Sequence, residues 1–138
     1  MFTEDLNFGQ QAENKVALYY QNQGYKVQRA IGNVREWDML LTEGVEVKFD
    51  RQATKTGNFA IEIKCRGKWS GLSTTKAKKW VLCTEEGEWE VETKVLKDWV
   101  KMYATDKDGV FRTTKGGDNN ESEIVLIDYL WVKSLKKL

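Results

Sequence analysis

Residues 37–50 read WDMLLTEGVEVKFD, and four charged side chains, Asp38, Glu46, Lys48 and Asp50, interrupt what is otherwise an apolar hairpin. Two carboxylates and an ammonium on one strand face have the makings of a hydrolytic site. Hard oxygen donors suit Mg²⁺, which keeps several waters and takes one or two protein carboxylates. Such an ion polarises a phosphodiester and activates a bound water, while a neighbouring lysine positions that water. A three-residue loop at Thr42-Glu43-Gly44 pairs Leu41 with Val45. It also sets Asp38 opposite Lys48 and Leu40 opposite Glu46, with all four charges on one side. Asp38 and Glu46 are then diagonal neighbours about 7–8 Å apart between Cα atoms. A two-residue turn at Glu43-Gly44 throws Asp38 to the other face. The plain alternative is a cross-strand ion pair on a solvated sheet face, worth under about 1 kcal/mol.

The Glu-x-Lys spacing occurs twice. Glu62 and Lys64 alternate with Phe59, Ile61, Ile63 and Cys65 along a second strand. Position favours the first copy, because Glu46-x-Lys48 is one short hairpin from Asp38, whereas Glu62 lies beyond the whole 49–58 passage. Glu62 is expected on a neighbouring strand facing the same cleft, as a supporting acceptor that orients a lysine or a metal-bound water.

The absence of histidine among 138 residues removes every mechanism that uses imidazole as base, nucleophile or ligand. Cys65 and Cys83 are too few for a zinc site and are expected to be reduced thiols. The net charge is only +1, but residues 48–80 carry nine basic side chains against two acidic ones. A basic middle of this kind is the footprint of a protein that meets phosphate. Arg51, Lys55, Lys64, Arg66, Lys68, Lys76 and Lys79 are the DNA-binding candidates, with Lys78 beside them; a solvated charged face is the alternative. The chain opens with charge at Glu4-Asp5, so no signal or membrane segment is expected and the location should be cytoplasmic.

Around these residues the pattern predicts one α/β (α+β) domain over 1–138, 41% hydrophobic. Asn7 and Gln10 read as a capping box opening a helix over 8–23 that ends at Gly24. Strands follow at 25–29, 36–42, 45–51 and 59–66. The cluster at 70–75 leads into a short basic helix at 76–80. Trp80–Cys83 reads as a strand paired with 88–92. Thr93 caps a helix with Val95, Leu96, Trp99, Val100 and Tyr103 on its core face. A loop at 116–120 precedes a closing strand from Ile124 through Val132.

Asp38 after Trp37, then Glu46-Val47-Lys48 beyond a hairpin, resembles the PD-(D/E)XK nuclease superfamily, which includes restriction-endonuclease-like and Holliday-junction-resolvase-like enzymes. The resemblance covers about residues 8–83. Trp37 stands where the proline of the family name would be, and the strand at 59–66 is an extra one. The resemblance implies a central mixed β-sheet flanked by helices and a metal-dependent DNA endonuclease. Asp38 and Glu46 would hold Mg²⁺, with Mn²⁺ able to substitute, and Lys48 would orient the attacking water. Glu13, in Gly9-Gln10-Gln11-Ala12-Glu13, looks like the first-helix glutamate of many members and would assist a second metal or its waters. DNA is the implied partner; the sequence is silent on dimerisation, so a homodimer, which double-strand cleavage usually requires, is left open. The segments 56–59 and 70–77 look like phage-borne members, which act in the host cytoplasm. The rival reading is an inactive nucleic-acid-binding module that uses Lys64, Arg66, Lys68, Lys76 and Lys79, with Trp69 as a stacking platform. Intact Asp38, Glu46 and Lys48 favour the enzyme.

Overall fold

The computed structural model describes residues 2–29, 38–40, 44–105 and 110–138. In chain order these form α1 (Phe2–Asn22), β1 (Gln28–Arg29), β2 (Met39–Leu40), β3 (Gly44–Phe49), the short α2 (Ala53–Thr56), β4 (Asn58–Cys65) and β5 (Lys68–Trp69). A 3-10 turn at Gly71–Ser73 leads to β6 (Lys79–Thr84), β7 (Gly87–Glu92), α3 (Thr93–Tyr103) and β8 (Ala104–Thr105). The chain closes with β9 (Phe111–Gly116), a turn at Asp118–Asn120, β10 (Ser122–Asp128), α4 (Tyr129–Lys133) and β11 (Lys136–Lys137).

The architecture is α+β, with two mostly antiparallel sheets flanked by helices. The first sheet has the order β1-β2-β3-β6-β7-β11 and is mixed, since β3 and β6 run parallel. The second has the order β5-β4-β10-β9-β8. The strand at 58–65 therefore does not extend the sheet of β3, as the sequence suggested, but starts the second one. The neighbours of β3 are β2 and β6.

Strand alternation gives β3 two occupied faces. Val45 and Val47 are buried with Val81 and Cys83 of β6 under Ala12, Val16, Ala17 and Tyr20 of α1. The opposite face of the first sheet contributes Trp80, Leu82, Trp89 and Val91 to a larger core shared with Phe59, Ile61, Val125 and Ile127 of the second sheet and Leu96 of α3. Glu46 and Lys48 belong to that second face, because they stand level with Trp80 and Leu82 in the parallel register.

Several boundaries differ from the sequence reading. Helix α1 begins before Asn7, so no capping box forms there. Its C-terminal end is as expected: Gly24 is left-handed (φ 91), its N–H donates to Gln21 O at 3.0 Å, and the Tyr25 N–H donates to Tyr20 O at 3.1 Å. Residues 76–80 are not helical. Lys79 and Trp80 are drawn into the parallel ladder with Val45 and Glu46, so tertiary pairing overrides a favourable local propensity. The closing strand stops at Asp128, whose carboxylate accepts the Leu130 N–H at 2.9 Å and opens α4. On α3, Leu96 is buried as expected while Val95 is exposed. Trp37 and the turn residues Thr42 and Glu43 lie outside the described residues.

Asp50 joins the two layers. One carboxylate oxygen accepts the Gln52 N–H at 2.9 Å, and the other accepts the Ala60 N–H of β4 at 3.0 Å. This accounts for one of the four hairpin charges structurally. Asp50→Ala is expected to cost about 1–2 kcal/mol in urea denaturation, since it strips two backbone donors of a charged acceptor, and Asp50→Asn is expected to cost less. A midpoint unchanged in Asp50→Ala would mean the link carries no stability.

Candidate active site

The hairpin register is shifted by two residues from the expected one. Met39 pairs with Val45 and Leu40 with Gly44. Asp38, just ahead of β2, donates its N–H to Val45 O at 3.0 Å and accepts the Val47 N–H on Oδ2 at 2.7 Å. The carboxylate thus lies along the edge of β3, beside Glu46 rather than opposite Lys48.

Glu46 is the most perturbed acid of the group. Its side chain keeps 14% of its exposure, and its carboxyl is pushed up to about 8, first by burial, then by the hydrogen bond to Asp38 and the nearby negative charges of Asp38 and Glu13. Lys48 opposes the shift, with its Nζ 3.9 Å from Glu46 Oε2. That ammonium is half exposed, and its charge sits 5.9 Å from the ring centroid of buried Trp80. Glu13 approaches from α1. Its carboxyl is also held above its ordinary value, by burial and by Asp38, against Arg29 and Lys48. Arg29 Nη2 lies 3.6 Å from Glu13 Oε2.

Asp38, Glu46, Lys48 and Glu13 are therefore brought together as the sequence suggested. Trp80 and Arg29 were missed. Parallel pairing across 30-odd residues of chain leaves no local signal for the first, and the second is an ordinary strand-end arginine until α1 is packed on it. Among the described residues the Trp80 indole N–H is buried without a hydrogen-bond partner.

Glu62 is not brought to this group. Its carboxylate accepts the Ser70 hydroxyl at 2.9 Å and the Ser122 hydroxyl at 2.6 Å in the second sheet. Lys79 turns to the α1 side of its strand, 4.0 Å from Glu90 Oε1. A bulge in β4 at Ile63, where the register with β10 slips between Glu123 and Ile124, re-aims Lys64. Lys64 then sits 3.9 Å from Glu123 and 4.2 Å from the ring centroid of Trp69, which is 64% exposed. Arg66 Nε donates to Glu121 at 2.6 Å, and the Arg51 guanidinium stacks 4.6 Å from the Phe8 ring centroid. Lys55, Lys68 and Lys76 are exposed.

The donor set fits a hard divalent cation. Two carboxylates converge at partial burial, and burial favours the protonated form of Glu46 while Lys48 opposes it. Among the described residues no group of three or more His, Cys, Asp or Glu side chains is placed to hold an ion by itself.

No family model matches the chain, and no curated protein is similar to it in sequence. Among solved structures it is similar to a bacterial homing endonuclease, I-Ssp6803I, at 18% identity and a TM-score of 0.54, over 86% of this chain and 75% of that one. At that identity the likeness is one of fold. The class so defined is an α+β fold similar to that of this homing endonuclease. Among the described residues no helix is long and apolar enough to cross a membrane.

The raised Glu46 carboxyl has a pH signature. The fold favours its protonated form, so its contribution is fully present below the ordinary value of 4.5 and is lost as pH rises through about 8. In metal-free buffer Glu46→Gln is expected to be more stable than wild type near pH 8, with the difference vanishing towards 4.5. Parallel stability curves for the two proteins would show that Glu46 is not held protonated.

Proposed function

We propose that this chain is a metal-dependent DNA endonuclease of the PD-(D/E)XK type. The observation that carries the proposal is the convergence of Asp38, Glu46 and Lys48 on one partly buried strand edge, with Glu46 pushed up to about 8. Strained carboxylates of this kind mark functional sites more often than surface ion pairs do. Fold similarity to a homing endonuclease supports the same substrate class. A pure binding module would gain nothing from two carboxylates facing phosphate, which repels them.

Asp38 and Glu46 would hold Mg²⁺, or Mn²⁺ in its place. The bound ion supplies Lewis acidity at the scissile phosphate and a water acidified for attack. The Val47 N–H fixes one oxygen of Asp38, so the carboxylate presents its other oxygen in a set direction. Glu46, in its ionised form, would complete the pair. Lys48, with its stem passing Trp80, donates from Nζ to the attacking water and offsets charge on the phosphoryl oxygens. Glu13, anchored by Arg29, accepts hydrogen bonds from the surrounding water shell. The reading extends to a cytoplasmic enzyme that cuts both strands as a homodimer, with neither Glu62 nor Lys79 at its centre.

Asp38→Asn, Glu46→Gln and Lys48→Ala are each expected to abolish Mg²⁺-dependent plasmid cleavage while duplex affinity stays near wild type, because they act on transition-state charge. EDTA should stop the reaction, and Ca²⁺ should support binding without turnover. Full activity in Asp38→Asn, or turnover in excess EDTA, would refute the assignment. Glu62→Gln, whose partners are serines of the second sheet, should stay active.

A further inference from the structure

A cleft of about 550 Å³ lies apart from the carboxylate site. It lies between the extended segment 75–78 and the first turns of α3, and four lysines line it: Lys76 and Lys78 on one wall, Lys94 and Lys97 on the other. Glu92 and Asp98 also line it, so the cleft is basic by two charges. The walls are held together by backbone and hydroxyl bonds. The Thr93 N–H donates to Lys78 O at 2.9 Å, and Thr93 Oγ1 donates to Ala77 O at 2.8 Å.

Two features connect this cleft with the carboxylates. The Lys78 N–H donates to Gly44 O at 2.9 Å, which ties the first wall to the start of β3, two residues before Glu46. Two residues back along β6 and one strand across places the Lys78 and Glu46 Cα atoms about 8 Å apart. Helix α3 also packs on the face that Glu46 and Lys48 share, since Leu96 is in one core with Trp80 and Leu82. The charge state differs as well. Lys48, Lys64, Lys79 and Lys136 all lie within 4.0 Å of a carboxylate. Among the described residues none of Lys76, Lys78, Lys94 and Lys97 has such a partner. Gathered, unpaired ammonium groups bind a polyanion without first breaking an ion pair.

We infer that this cleft carries the phosphate backbone of duplex DNA away from the scissile position, with Lys94 and Lys97 of α3 as contacts that the basic 48–80 segment does not include. The inference rests on the nuclease reading and adds the path of the substrate to it. The recognition is of phosphate, so it is independent of sequence and sensitive to salt.

The test measures binding of a labelled duplex to full-length protein in Mg²⁺-free buffer across a salt series. Lys94→Ala/Lys97→Ala should weaken binding equally on unrelated sequences and lower the log–log salt slope by up to about 1.8, at about 0.9 per lost phosphate contact. A control that removes two lysines elsewhere, Lys26→Ala/Lys133→Ala, should change the slope much less. All four side chains are exposed, so both variants should keep the wild-type urea midpoint. Wild-type binding with a cleft variant no weaker than the control overturns the path and leaves the nuclease reading standing. A wild type that binds no duplex overturns both.

Discussion

The structure depends on a constraint in β3: six residues must bury one face under α1, bury part of the other against a second sheet, and still present two charges. Val45 and Val47 take the first task, and the period of two leaves Glu46 and Lys48 for the second. Parallel pairing with β6 then puts Trp80 level with Glu46, so the acid is walled by an apolar ring on one side. A small slip is excluded, because a one-residue shift would turn both charges under α1 and take both valines out of that core.

From that constraint follows the strain at the site. Glu46 cannot be fully hydrated, Asp38 is held beside it by the Val47 N–H, and Glu13 adds another carboxyl group from the helix. Lys48 offsets part of the repulsion at 3.9 Å but is half exposed, so much of its effect is screened. In the nuclease reading proposed here, neutralising this cluster would release energy that could support oriented binding of a cation. Asp50 stands apart from this group. It satisfies two backbone donors and fixes β4 relative to the end of β3.

The site was legible in the sequence for a reason that also explains why its register was not. The expected pairing of Leu41 with Val45 is off by two residues, yet a two-residue error preserves the face of every side chain, so Asp38, Glu46 and Lys48 still converge. Helix α1 and its glycine stop were equally legible, being local. What escaped reading was long-range. Nothing within residues 58–65 indicates that they open a second sheet, and so Glu62 was assigned to a cleft it does not face. Lys76–Trp80 has the composition of a helix, yet none of it is helical and Lys79 and Trp80 became strand because β3 offered a parallel edge. The bulge at Ile63 and the direction of Lys79 are set by partners distant in sequence. Tyr129–Val132 continues an apolar run, and only the cap at Asp128 distinguishes its helix from the strand before it.

The central claim is that Asp38 and Glu46 form a cation site, and calorimetric titration of Mg²⁺ into the metal-free protein tests it most directly. The account predicts binding to the wild-type chain with release of a proton near neutral pH, and loss of both heat and proton release in the Asp38→Asn/Glu46→Gln double variant. Equal Mg²⁺ affinity in the double variant and the wild type would contradict it.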